Sequence, residues 1–145
     1  MMTPAAIRTL SHLAALHHHS LPMYLSYTRP WTRPGTEGKL DVLQHMITDH
    51  QYAVEKIVHV LEETDTTIGL GEFPMEYTDL HDLSLAYLFG LLIETQNKLI
   101  TEIEAGITQL ENDTIAKEVA QECLGMAKGH VENLEEAASS LKVMS

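Results

Sequence analysis

The sequence predicts an all-α protein, a four-helix bundle with up-down hairpins joined by a long crossover. Apolar residues recur at helical spacing in four long segments, and no stretch shows the alternation of a half-buried strand. Breaker-rich stretches with proline and glycine, at 28–38 and 69–74, separate the first three segments. The link between the second and third segments, "TDTTIGLGEFPMEYT" (64–78), is 15 residues long, and at about 3.3 Å per residue it can travel the ~40 Å of a neighbouring helix. The other links are short and so join antiparallel neighbours.

Helix A is expected from about Pro4 to Tyr27, with Leu10, Leu13, Leu21 and Tyr24 on one stripe and a bend where Pro22 removes an intrahelical hydrogen bond. "TRPWTRPGTEG" (28–38) is a loop by its prolines and glycines. Helix B follows from about Lys39 to Glu63, with Leu43, Ile47, Val54, Ile57 and Leu61 in register. Helix C starts where Thr78 or Asp79 can cap it and runs to about Leu110. Helix D begins after Asn112 and Asp113 and continues to about Val143, so the whole of 1–145 forms a single domain.

Composition limits what such a bundle can do. With 21 acidic against 9 basic residues the net charge is −12 and no basic cluster occurs, which argues against nucleic acid and against an anionic membrane as partners. The longest apolar run, "LSLAYLFGLLI" (83–93), is shorter than the ~18 to 20 residues that span a bilayer. The opening "MMTPAAIRTL" lacks the features of a secretory signal, and the lone Cys123 cannot form an internal disulfide; the expected location is cytoplasmic. Cys123 lies on an apolar stripe, and "GLGEF" (69–73) follows no strand, so neither a nucleophile nor a phosphate loop is indicated.

The chain contains nine histidines, and three stand out. Residues three, four and seven apart share a helix face. His17 has Leu10, Leu13, Leu21 and Tyr24 at those offsets; His50 has Leu43, Ile47, Val54 and Ile57; His130 has Cys123, Met126, Leu134 and Ala137. Three helices therefore each aim one imidazole at the core, near mid-helix. His45 and His59 fall on solvated faces, His12 and His19 on a mixed face, His18 at the edge of the stripe, and His81 in a first turn. Of "LHHHS" (16–20), only His17 points to partners on other helices. A buried imidazole needs a hydrogen-bond partner, which a carbonyl, a tyrosine or a water can supply singly and a shared metal can supply together.

"AKGHVENLEEA" (127–137) resembles the fourth helix of bacterioferritins and their ferritin-like relatives, and the interval from "LIE" (92–94) to His130 is similar to that between the family's third-helix glutamate and fourth-helix histidine. His17 with Leu21 and Tyr24, and His50 followed by Glu55, Lys56 and Ile57, resemble the corresponding stretches of the first two helices. The loop "RPWTRPG" (29–35) is similar to that of Dps-type mini-ferritins, though Gln51 stands four residues before Glu55 where they carry an aspartate. The resemblance implies a ferritin-like bundle and homo-oligomerisation. It also implies a metal site formed by His17, His50, Glu94 and His130, holding iron or another divalent transition metal such as Zn, Mn or Ni. The bridging glutamates of a di-iron centre would fall three residues before His50 and His130, at Ile47 and Ala127. The haem-holding methionine would fall at Thr48, so no haem is expected. Glu94 has a second possible partner, Lys98 one turn on. Two function classes follow: a metal-binding protein of metal storage or oxidative-stress handling, with ferroxidase or other oxidoreductase activity open, and a non-enzymatic scaffold that acts by self-association or protein binding.

Overall fold

A computed structural model describes residues 2–26, 40–64, 73, 77 and 85–144. Among them the chain is all helical: α1 (Pro4–His18), α2 (Leu21–Leu25), α3 (Leu40–Glu62), α4 (Leu85–Gln109) and α5 (Thr114–Met144). The loop expected at 28–38 and the start of helix C near Thr78 lie outside the described residues.

Local chemistry sets the helix ends. Thr3 Oγ1 accepts from Ala6 N at 3.1 Å and Pro4 follows, placing a cap and a pre-set φ at the first turn of α1. Asp113 Oδ1 does the same for α5, accepting from Ala116 N at 2.9 Å. The first helix differs from expectation. Rather than bending at Pro22, it ends at His18 and restarts at Leu21. Proline inside a helix would lose a hydrogen bond and crowd the carbonyl four residues back, whereas in the first turn of α2 its missing N–H costs nothing. The two residues of the break remain bonded to α1, through His19 N to Ala15 O at 3.0 Å and Ser20 Oγ to His17 O at 2.8 Å.

Two apolar clusters show how the helices run. One joins Leu10 and Leu13 of α1 to Ile57 and Leu61 late in α3, Leu99 and Ile103 late in α4, and Val119 and Ala120 early in α5. The other joins Leu21 and Leu25 of α2 to Leu43 and Met46 early in α3, Leu88 and Phe89 early in α4, and Leu134 and Ala137 late in α5. Hence α1 is antiparallel to α3 and α4 to α5, while α3 and α4 run the same way. Helix α1 packs on α3 and α4, and α5 packs on the same two. Because α3 ends at one cluster and α4 begins at the other, the link between them joins opposite ends of the bundle. Phe73, within that link, already packs against the second cluster, its ring edge-on to Tyr24 at 5.3 Å.

Between the two clusters lies a polar layer. His17, His50, Gln96 and His130 are the buried polar residues among those described, one from each long helix. Each is flanked along the chain by a residue of either cluster: Leu13 and Leu21, Ile47 and Ala53, Leu92 and Leu99, Ala127 and Leu134.

Candidate metal centre

The three inward histidines meet. The ring centroids of His17 and His50 are 5.1 Å apart with the planes tilted by 53°, and those of His50 and His130 are 6.4 Å apart and stacked at 16°. They surround a cavity of about 10 Å³, lined also by Asp49, Gln96, Cys123, Met126 and Ala127. That is room for one water or one ion.

Hydrogen bonds settle the tautomers of two rings. His17 Nδ1 is 2.8 Å from Leu13 O, so that nitrogen carries the proton and donates it to the carbonyl. Ser20 gives its own proton to His17 O, so at 3.2 Å from His50 Nδ1 its oxygen is the acceptor and the ring nitrogen the donor. Both imidazoles are thereby oriented by Nδ1–H and left with a lone pair on Nε2, the arrangement that prepares a histidine to bind a metal. His50 Nε2 is buried and makes no hydrogen bond to a described residue. The break after α1 therefore has a role at the site, since it carries Ser20 to His50.

His130 is held differently. Its Nε2 lies 2.9 Å from Asp49 Oδ2, so the carboxylate is its partner, although the contact is off the line that an aligned N–H bond requires. Two donors 2.0–2.2 Å from one ion stand about 3 Å apart at an octahedral angle and about 3.4 Å apart at a tetrahedral one.

Burial controls the electrostatics. Desolvation lowers the pKa of His17, aided by repulsion from His130 and opposed by the Leu13 carbonyl. His50 falls well below its ordinary value for the same first reason, reinforced by both neighbouring histidines and only partly offset by Gln96 and the His17 carbonyl. His130 is lowered by burial, with Asp49 opposing and His45 adding repulsion. All three are poised to be neutral ligands at neutral pH. Cys123, at the cavity wall, has its thiol pushed up to about 12, chiefly by burial, and so is not a ready thiolate.

Glu94 is not brought to this layer. It lies on the outer face of α4, its side chain 63% exposed and paired with Lys98 Nζ at 3.5 Å. The residue that α4 turns inward is Gln96, whose neighbours Phe89, Leu92, Leu99 and Ile103 at helical offsets are all core. The offset test used for the histidines would have found it. Asp49 was masked by its neighbours: His45 and Thr48 are exposed, but Asp49 lies at the boundary and turns to His130. Outside the layer, His12 pairs with Glu102 at 3.3 Å, His59 is exposed, and His18 stacks on Phe73 with centroids 6.4 Å apart. Among the described residues, no group of three or more His, Cys, Asp or Glu side chains is arranged to hold a metal ion.

No protein-family model, curated protein or solved structure matches this chain. The chemistry of the layer itself is what bears on function.

Proposed function

We propose that the chain is a ferritin-like metal-binding protein whose histidine layer takes up a divalent transition metal, iron or another borderline ion, in metal storage or oxidative-stress handling. The observation that carries this is the pair His17 and His50, each fixed at Nδ1, which line one cavity together. Two imidazoles bound to one ion, with nitrogens about 2.0–2.1 Å from it, have ring centroids on the order of 5 Å apart. The His17 and His50 rings are at 5.1 Å, and His130 must approach His50 by roughly 1 Å to join them. The ferritin-like assignment is supported by the pairing of antiparallel α1 with α3 and α4 with α5 and by the lengthwise link between the two pairs. Ile47 and Ala127, both buried, stand where that family places bridging carboxylates. Homo-oligomerisation belongs to the same proposal, with the exposed Tyr52, Tyr87 and Ile115 as apolar surface for it.

A second class is favoured by one specific observation: a cavity of about 10 Å³ is also the size of a single bridging water, which would satisfy the layer without any metal. The bundle would then be a scaffold in which the polar layer sets helix register. Metal analysis of protein purified without chelator separates the two. Bound metal in the wild type, lost in His50→Ala and His130→Ala, supports the first; turnover of Fe(II) or peroxide above a buffer control counts against the scaffold. Metal-free protein from metal-replete conditions removes the first.

A further inference from the structure

We propose that Asp49 is the carboxylate ligand of a single-ion site and the point through which the ion arrives, between α3 and α5. This rests on taking the histidine layer as a metal site, and it specifies how many ions that site holds and from which side.

Asp49 is the one carboxylate among the described residues that line the cavity, and its side chain is also 41% exposed. It thus touches both the buried layer and solvent. On the inner side it stands 2.9 Å from His130 Nε2, a nitrogen on a residue only 6% exposed and without an aligned bond. On the outer side His45, exposed and one turn earlier on the same face of α3, is close enough to His130 to act on it electrostatically. An incoming cation would meet the His45 and Asp49 pair first and the imidazoles next. Among the described residues, the opposite side offers no carboxylate at the layer itself. A pocket of about 230 Å³ lies between the α1–α2 break and α4, but among the described residues Gln96 and Ser20 are its connections to the layer, and the Ser20 hydroxyl is engaged with His17 and His50.

The number of ions follows from charge and space. The cavity admits one water-sized body. A single dication beside one carboxylate and neutral imidazoles has a net charge of about +1, and a second would raise that to about +3 in a buried layer at steep cost. Ile47 and Ala127 offer no oxygen to offset it.

Co(II) is the test ion, because its visible spectrum reports the number and type of its ligands. Titrated into the chelator-stripped full chain, it should saturate at one equivalent per chain. Asp49→Asn, nearly the same shape, should bind at least about tenfold more weakly and load more slowly in stopped flow, with Asp49→Ser as a second variant that also removes the carboxylate. Asp41→Asn, an exposed acid on the same helix, should behave as wild type. Circular dichroism confirms folding of each variant. Saturation at two equivalents overturns the single-ion site, and wild-type affinity and loading rate in folded Asp49 variants overturn the role of Asp49. If Co(II) binding is lost in His50→Ala but unchanged in the Asp49 variants, only the present proposal falls. If wild type binds no Co(II), the reading of the histidine layer falls first and this one with it.

Discussion

At the scale of single residues, the site depends on small groups that orient larger ones. Ser20 is an example. Its oxygen takes the Nδ1 proton of a histidine that is 2% exposed, so Ser20→Ala leaves that buried donor with only the His17 carbonyl to turn to. The expected cost is about 1–3 kcal/mol in urea unfolding, with roughly a 10- to 100-fold loss of metal affinity because the ring is no longer held. A second prediction concerns pH. The folded chain keeps His17, His50 and His130 neutral below the ordinary histidine value, whereas the unfolded chain protonates them near pH ~6.5. The unfolded state therefore gains protons that the folded state refuses, and metal-free protein should lose stability as pH falls from about 6.5 toward the lowered folded values. The slope is up to about 1.4 kcal/mol per pH unit for each histidine. Unfolding curves between pH 7.5 and 5 measure it, and a stability unchanged over that range would contradict the burial argument. The inward phase of the three histidines was legible from their apolar neighbours at helical offsets. Asp49 was not, because its importance comes from α5 beside it, and no spacing within α3 reports that contact.

At the scale of elements, helix ends and helix contacts make distinct predictions. Asp113→Ala removes the side chain that caps α5 and should cost about 0.5–2 kcal/mol without altering the histidine layer, which lies nearly five turns away on that helix. Two glycines give opposite outcomes. A methyl at Gly125 meets nothing within 4 Å, so Gly125→Ala should stabilise α5 by about 0.5–1 kcal/mol. At Gly106 a Cβ would already stand 3.2 Å from Thr9 Cγ2 and 3.5 Å from Leu13 Cδ1, where α1 crosses α4. Gly106→Leu should therefore cost about 1–3 kcal/mol, and thermal melts of the two variants check the difference in sign. Helix existence and most boundaries could be read from periodicity and from the Asp113 cap. The α1–α2 break could not be placed from Pro22 alone, because a proline permits either a kinked helix or a new first turn; the bonds from His19 and Ser20 back to α1 decide it.

At the scale of the whole molecule, two apolar halves are separated by one polar layer, and each long helix contributes one residue to it. A buried polar layer is a costly feature unless it is satisfied, and a ligand that binds only the folded layer raises stability by mass action, by about 2.7 kcal/mol at a concentration a hundredfold above Kd. Addition of Co(II) or Zn(II) should accordingly raise the melting temperature of wild type and leave that of His50→Ala unchanged. The parallel direction of α3 and α4 was legible in the length of the link at 64–78, and Gln96 was legible in its apolar neighbours Phe89, Leu92, Leu99 and Ile103, whereas the family spacing pointed to Glu94, which faces outward. The measurement that bears most directly on the account is an anomalous-scattering map from crystals of metal-loaded protein, paired with elemental analysis of the same sample. One ion per chain, placed among His17, His50, His130 and Asp49, is the expected result. Loaded and washed protein that retains no metal, with a water joining the same imidazoles, would contradict it.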